Sequence, residues 1–303
     1  MNKISLTTLL LSVILLASCN SNRYIVLSGY AQGGTYAVKM SMKGVSEKQP
    51  VIQAKVDSLL LLIDNTLSGY NKGSMLSRLN AGEAIEPNEM FREIYSRSYS
   101  IWEKTGGAVD VASGPLFDAW GFGFTTDSLP SAETISEIME SCGMDRLESS
   151  LDASLELHPQ LNFNAIAQGY SCDVIADYLH SIGVRNMLVD IGEIYCEGVN
   201  PFGMPWSIGV DRPEDGNNTP GAMLSGIWKS DGASHGVVTS GNYRKYYVRD
   251  GKKYAHTIDP RNGQPVSHSL LSATIIAPDA TTADALATYC MVIGLEESKR
   301  FIL

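Results

Sequence analysis

Along residues 35–42 the apolar side chains Tyr36, Val38 and Met40 alternate with small or polar ones, the period of a half-buried strand. The period changes at residues 51–67, where Val56, Leu59, Leu60 and Ile63 fall on one helical face. Helical spacing returns over residues 87–105, closed by Gly106-Gly107, over 131–142, and over 167–182 with its alanine-rich and aliphatic face. Leu155 and Leu157 alternate like part of a β-hairpin ahead of Asn162. Residues 187–199, 206–210, 236–240, 246–248 and 273–277 read as strands, and 283–291 as a helix. Strands and helices intermix without regular β-α-β alternation. The expected fold class is therefore α+β: a large domain of mixed sheets flanked by helices, or two intimately packed lobes.

The first residues follow a different pattern. Lys3, the apolar residues 9–16 and then Ala17-Ser18-Cys19 give the basic, apolar, small order of an export signal. That apolar run is shorter than the roughly 20 residues needed to span a bilayer, and no later stretch reaches that length. Leu16-Ala17-Ser18-Cys19 resembles a bacterial lipobox, in which the cysteine thiol takes a lipid before cleavage. Residues 1–18 are thus expected to leave as a signal peptide, with Cys19 lipidated and residues 19–30 forming a polar tether. The chain would be anchored to a membrane of the bacterial cell envelope, facing the periplasm.

Removing residues 1–18 takes away Lys3 and no acid, leaving 22 Lys+Arg against 33 Asp+Glu and a net charge of −11. So acidic a chain argues against nucleic acid as a partner. Four further cysteines, Cys142, Cys172, Cys196 and Cys290, form no Cys-x-x-Cys pair and have no His at zinc-site spacing. They read as buried thiols rather than metal ligands.

Gly, Asp, Asn, Thr and His concentrate in four stretches where the chain changes element: residues 33–36, 106–123, 162–173 and 256–288. In the last, Asp284 and Thr288 stand four apart, so with Thr282 as helix cap they share one face near the helix start. An acid there complements the helix dipole and a Thr at that spacing packs; the same two oxygens also suit a hard cation such as Mg2+. His256, beside the polar turn Asp259-Pro260-Arg261-Asn262-Gly263, is either a satisfied structural residue or a general base for a hydroxyl nucleophile. The glycine-rich stretches 105–111 and 114–123 are either tight loops or backbone able to approach a flat or anionic ligand closely. No Walker motif, Rossmann glycine fingerprint or nucleophile elbow occurs.

Taken in order, these segments resemble the FAD:protein FMN transferase family, also called ApbE or flavin-trafficking lipoproteins. The matching stretches are Gly34-Thr35-Tyr36, Leu67-Ser68-Gly69-Tyr70 with residues 74–80, residues 107–123, Asn164-Ala165-Ile166-Ala167-Gln168-Gly169-Tyr170, Leu188-Val189-Asp190-Ile191-Gly192-Glu193, Thr239-Ser240-Gly241, and residues 256–263 and 282–288. The resemblance implies cleavage of the FAD pyrophosphate, transfer of FMN to a Thr or Ser hydroxyl of an acceptor protein such as a subunit of a membrane redox complex, and release of AMP. It implies Mg2+ held by the Ala165 carbonyl and the Asp284 and Thr288 side chains. Flavin contacts carry over to Gly33, Tyr70, Ala108, Val109, Asp110, Asn162, Gln168 and Ile258, and the proposed base to His256. Gly33 stands where many relatives have Met, Gln168 where a Lys is common and Asn162 where an Asp is common. The last two changes remove a cation and an anion together and keep the site's net charge. Two alternatives stay open at this point: an FAD pyrophosphatase yielding FMN and AMP, and a lipoprotein that binds flavin without turning it over.

Overall fold

The computed structural model describes residues 23–123, 129–214, 216–217, 219–243, 246–249 and 251–302. The expected signal peptide and Cys19 lie outside the described residues. Eight helices follow one another in this part of the chain: α1 Gln49–Leu67, α2 Met75–Asn80, α3 Glu89–Lys104, α4 Gly114–Ala119, α5 Ala132–Ser141, α6 Leu151–Ser154, α7 Ala167–Ser181 and α8 Ala280–Ile302. Twelve strands interleave with them: β1 Tyr24–Ala31, β2 Gly34–Ser41, β3 Met187–Asp190, β4 Ile194–Glu197, β5 Ser207–Asp211, β6 Leu224–Lys229, β7 His235–Gly241, β8 Tyr246–Arg249, β9 Lys252–Ala255, β10 Ile258–Asp259, β11 Gln264–Pro265 and β12 Ser272–Ala277.

The central sheet has the order β1-β2-β3-β4-β7-β12, antiparallel at every junction. β1 and β2 pair from Tyr24↔Ser41 to Ala31↔Gly34 around a two-residue turn, Gln32-Gly33, with both φ angles positive at 52° and 81°. Such a turn matches the twist of the strands it joins, and its second residue suits glycine. The Gln32 amide donates to the Ser171 hydroxyl on α7, which ties the hairpin tip to the helix.

Alternation sends Leu27, Val38, Met40 and Val189 to one face of the sheet, where α1, α3 and α7 cover them with Ile52, Val56, Leu60, Phe91, Ile94, Tyr170 and Ile175. On the opposite face Leu188, Cys196 and Val237 meet Trp206 and Ile208 of the β5–β6 hairpin. α8 lies against β7 and β12 through Val238, Ala277, Ala283 and Ala287. Its start also abuts α7 so closely that a Cβ on Gly169 would stand 2.2 Å from the Ala280 carbonyl oxygen and 2.8 Å from the Asp284 Cβ. Only glycine permits that approach. A smaller cluster of Leu116, Trp120, Ile135 and Ile258 joins α4 and α5 to β10, with the Trp120 indole donating to the Gly263 carbonyl at 2.7 Å.

The α+β expectation stands, with four local corrections. Residues 24–30, expected in the polar tether, belong to β1, because Ile25 and Leu27 point into the core while the intervening side chains face outward. Leu155 and Leu157 lie in a 3-10 turn after α6, ended by His158 in left-handed conformation at φ 49°, and not in a hairpin. Residues 187–199 are not one strand: Gly192, at φ 92°, lets the chain fold back into the β3–β4 pair. The helix expected over 283–291 runs from Ala280 to Ile302 with a break at Gly294. Cys142 is half-buried and Cys172, Cys196 and Cys290 are buried, all as free thiols. Among the described residues no helix is long and apolar enough to cross a membrane.

Candidate functional site

At one end of the central sheet the junctions between elements enclose a cleft of about 790 Å³. Gly33 reaches it from the β1–β2 turn, Asp64 and Tyr70 from the end of α1 and the loop beyond, and Ala108, Val109 and Asp110 from the loop after α3. Asn162 and Ala165 enter ahead of α7, and Gln168 from its first turn. Glu193 comes from the β3–β4 turn, residues 239–241 from the end of β7, and His256 and Ile258 from the crossing between β9 and β10. Asp284 and Thr288 complete the wall from α8. The twelve positions singled out in the sequence for binding, metal or proton transfer, spread from Gly33 to Thr288, therefore all line one cleft.

Local hydrogen bonds hold these groups in place. The Asp110 carboxylate accepts from the amides of Ala112 at 2.7 Å and Met144 at 3.0 Å; burial nevertheless pushes it up to about 6. The Val109 amide donates to the Thr105 hydroxyl at 3.2 Å. Asn162 donates its amide to the Val111 carbonyl at 2.7 Å and accepts at its side-chain oxygen from the Asn164 amide at 2.9 Å. The Gln168 amide group makes a long bond, 3.4 Å, to the Ile191 carbonyl. Tyr70 is 64% exposed at the cleft.

Thr282 does not cap α8, as the sequence reading had it. Asp279 does so, accepting from the Thr282 amide and hydroxyl at 2.8 Å each, while buried Asp173 accepts from the amides of Ala280 and Thr281 at 2.8 Å. The helix therefore begins two residues before Thr282 and carries Asp284 and Thr288, one turn apart, along the cleft wall. Asp284 accepts from the Gly169 amide at 3.0 Å, and Gly169 stands four residues after Ala165. Asp284 and Ala165 line the same cleft.

Glu193 had been assigned no role. Its carboxylate accepts from the Thr239 amide at 3.4 Å, and burial followed by the charge of Asp284 pushes it well above the ordinary carboxylate range. Burial likewise pushes Asp284 up to about 7. Its only local mark in the sequence is an acid directly after a glycine, Gly192, which does not say what that acid meets. Asp64, Asp110, Glu193 and Asp284 all line the cleft, and among the described residues no Lys or Arg does. Buried carboxylates side by side without a cation are costly. No group of three or more His, Cys, Asp or Glu side chains among the described residues is placed to hold a metal ion. An ion here would rest on oxygens of mixed kind, a carbonyl, a carboxylate and a hydroxyl, which is the donor chemistry of a hard divalent cation.

His256 lines the same cleft, with the Phe122 ring edge-on at 6.4 Å. The next residue is pinned on both sides: the Thr257 hydroxyl donates to Asn242 at 2.7 Å and its carbonyl accepts from the Val266 amide at 3.0 Å. Beyond it Asp259 organises the turn, accepting from the Arg261 amide at 3.0 Å and from the Arg261 guanidinium at 2.8 Å through each oxygen.

Solved flavin transferases share this architecture. The apo form of Pseudomonas stutzeri flavinyl transferase ApbE has a TM-score of 0.79 at 35% identity, covering 91% of this chain and 86% of that one. Flavin transferase ApbE from Vibrio cholerae gives 0.76 at 31%, covering 92% and 89%. Fold and cleft therefore define an enzyme of the flavin-transferase class. Among curated proteins, the FAD:protein FMN transferases of Vibrio cholerae and Escherichia coli are 33% and 32% identical, across 95% and 94% of this chain and 87% and 83% of theirs. The ApbE family model matches residues 32–303, and the chain belongs to the ApbE family.

Proposed function

We propose that this chain is a Mg2+-dependent FAD:protein FMN transferase, lipid-anchored through Cys19 in the bacterial cell envelope, that modifies exported or membrane redox proteins. The observation that carries the metal dependence is the cleft wall itself: four carboxylates and, among the described residues, no Lys or Arg. A pyrophosphate cannot approach such a wall unless its charge is met by a cation. Ala165, Asp284 and Thr288 would hold the Mg2+, which when bound neutralises the pyrophosphate oxygens and the charge on departing AMP.

The chain's own groups do the rest. Gly33, Tyr70, Ala108, Val109, Asp110, Asn162, Gln168 and Ile258 bind and orient the flavin half of FAD. His256 takes the proton from the acceptor's Thr or Ser hydroxyl as its oxygen attacks the FMN phosphorus. The bond from that phosphorus to the bridging oxygen breaks, and AMP leaves with the bridging oxygen. The product is a phosphoester between FMN and the acceptor.

Incubating the protein with FAD, Mg2+ and a Thr-bearing acceptor is expected to give a covalently flavinylated, fluorescent acceptor and one AMP per FMN transferred. AMP formed equally well without acceptor would make the protein a pyrophosphatase instead. Bound FAD with no AMP in either case would make it a flavin carrier.

The raised carboxylates add a test that needs no turnover. Asp110, Asp284 and Glu193 titrate above their ordinary values because they are buried, so the folded chain holds protons that the unfolded chain has released. Their contribution to stability is present at acid pH and is lost as pH rises, through about 6 for Asp110 and about 7 for Asp284, with Glu193 acting in the same direction. Without divalent ions the melting temperature is expected to fall between pH 5 and pH 8, and MgCl2 to raise it more at pH 8 than at pH 5. Melting that is flat with pH and indifferent to MgCl2 would count against Asp284 as part of the ion's seat.

A further inference from the structure

The end of the central sheet remote from the cleft carries a surface that the proposed chemistry does not use. β1 starts there. The Tyr24 hydroxyl donates to the Val199 carbonyl at 2.5 Å, and its ring lies edge-on to Trp206 at 6.4 Å. Between Val199 and Pro205, which pair as an isolated bridge, the chain makes a tight turn. The Asn200 side-chain oxygen accepts from the amides of Phe202 at 2.9 Å and Met204 at 3.1 Å, and the Asn200 amide donates to the Met204 carbonyl at 2.8 Å. The polar groups of the turn are thus satisfied internally while its two large apolar side chains point out. Phe202 is 88% exposed and Met204 60%; no large hydrophobic among the described residues is more exposed than Phe202.

Single exposed apolar residues are common, so the surroundings decide. Asn186 joins this turn to the start of the fold: its side chain accepts from the Val199 amide at 2.9 Å and its carbonyl from the Ser41 amide at 2.9 Å. Next to Ser41 a groove of about 480 Å³ is lined by exposed Arg23, Lys43 and Lys48, a basic cluster on a chain of net charge −10. One acid, Glu47, lines the same groove and accepts from the Tyr178 hydroxyl at 3.2 Å, leaving three cations to one anion there; Glu197 pairs with His180 and Asp231 with His235. The third observation is length. Only three residues separate Cys19 from Arg23, four steps with a reach of at most about 14 Å.

We propose that this end of the sheet is a membrane-docking face, with Phe202 and Met204 entering the headgroup region of an anionic phospholipid surface and Arg23, Lys43 and Lys48 set against its phosphates. The proposal rests on the lipid anchor at Cys19 taken above. An apolar pair flanked by cations is the chemistry of an interfacial contact, and the anchor keeps the contact at high local concentration. One consequence concerns the acceptor. The cleft lies at the other end of β1, seven residue steps or about 23 Å from Tyr24 along the strand. With this face on the lipid, the cleft opens away from the bilayer, toward hydroxyls carried on domains that stand well clear of the membrane.

The test uses the full lipidated chain, with the Cys19 modification verified by mass, in phosphatidylethanolamine vesicles containing phosphatidylglycerol and a doxyl-labelled lipid. Bimane is attached through Phe202→Cys in one sample and through Tyr30→Cys, at the cleft end of β1, in another. The parent chain supplies the background from its native thiols. The dye at position 202 is expected to shift to the blue and to be quenched by the doxyl lipid, with the dye at position 30 left unquenched. Replacing phosphatidylglycerol by phosphatidylcholine is expected to reduce the quenching at 202. Equal quenching at the two positions, or none at 202 in lipid-bearing protein, would overturn the docking face while leaving the anchor in place. Quenching indifferent to phosphatidylglycerol would overturn the role given to Arg23, Lys43 and Lys48. If Cys19 proves to carry no lipid, the proposal falls with the anchor, and the mass measurement reports that failure separately.

Discussion

Replacing Asp284 by Ala is expected to lower the rate of FMN transfer about 10^3-fold and to abolish its dependence on Mg2+, since Lewis-acid stabilisation contributes several kcal/mol and each 1.36 kcal/mol is about tenfold in rate. Asp284 is 5% exposed and accepts from the Gly169 amide, so the Ala variant also leaves a buried N–H without its acceptor. That loss costs about 1–3 kcal/mol of stability and confuses a structural effect with a chemical one. Asp284→Asn separates them. Its side-chain oxygen can still accept from Gly169, and the mutual repulsion with Glu193 disappears, so the Asn variant is expected to fold at least as stably as the parent. It should still lose the Mg2+-dependent rate. Parallel transfer assays and melting curves on both variants decide the matter. A stable Asp284→Asn protein with undiminished, Mg2+-dependent transfer would remove Asp284 from the metal site.

Why Asp284 could be singled out from sequence, and Glu193 could not, follows from what each signal consists of. Asp284 and Thr288 lie four apart on one helix, so their partnership is written in local spacing. Glu193 meets Asp284 only because β3–β4 and α8 converge, about 90 residues apart in the chain, and no periodicity records that encounter. The same division runs through the fold. The helices over 51–67 and 87–105 were legible because long apolar stripes specify one face. Their observed bounds, Gln49–Leu67 and Glu89–Lys104, differ from those by at most two residues. The β3–β4 reversal was hidden because a single glycine, Gly192, turns the chain between two closely spaced apolar groups, Met187-Leu188-Val189 and Ile194-Tyr195-Cys196, that read as one strand. β1 was hidden because its apolar alternation lapses after Leu27: Gly29 takes the next inward position without a side chain, under the cross-strand Tyr36 ring. The first turn of α8 escaped because its caps are carboxylates, Asp279 next to it and Asp173 over 100 residues away, rather than the nearer Thr282. Glycine, aspartate, histidine and threonine mark junctions where groups could converge. Which junctions meet is decided by packing, as where Gly169 lets α7 touch the start of α8.

His256→Ala is expected to reduce transfer to an acceptor hydroxyl about 10^2- to 10^4-fold, the range general-base catalysis supplies. The loss should fall on kcat rather than on FAD binding, because in the proposed mechanism His256 meets the attacking hydroxyl and other residues contact the flavin. Its backbone is fixed independently of its ring, through Thr257 to Asn242 and Val266, so removal of the imidazole should leave the neighbouring turn intact. The Phe122 ring loses an edge contact, a small change for stability. Two readouts tie the loss to proton transfer. Added imidazole should restore part of the rate in the Ala variant, and the pH dependence of the variant's rate should differ from the parent's. The competing bases in the cleft are carboxylates. Asp110, Glu193 and Asp284 are all pushed toward neutrality by burial, and any of them protonated near pH 7 is poorly suited to accept a proton until the pH rises. If His256→Ala retained the parent's rate and pH profile, the proton would have to go to one of those carboxylates or to Asp64. The imidazole would then be a structural neighbour of Phe122, and the base would be sought on the acidic wall.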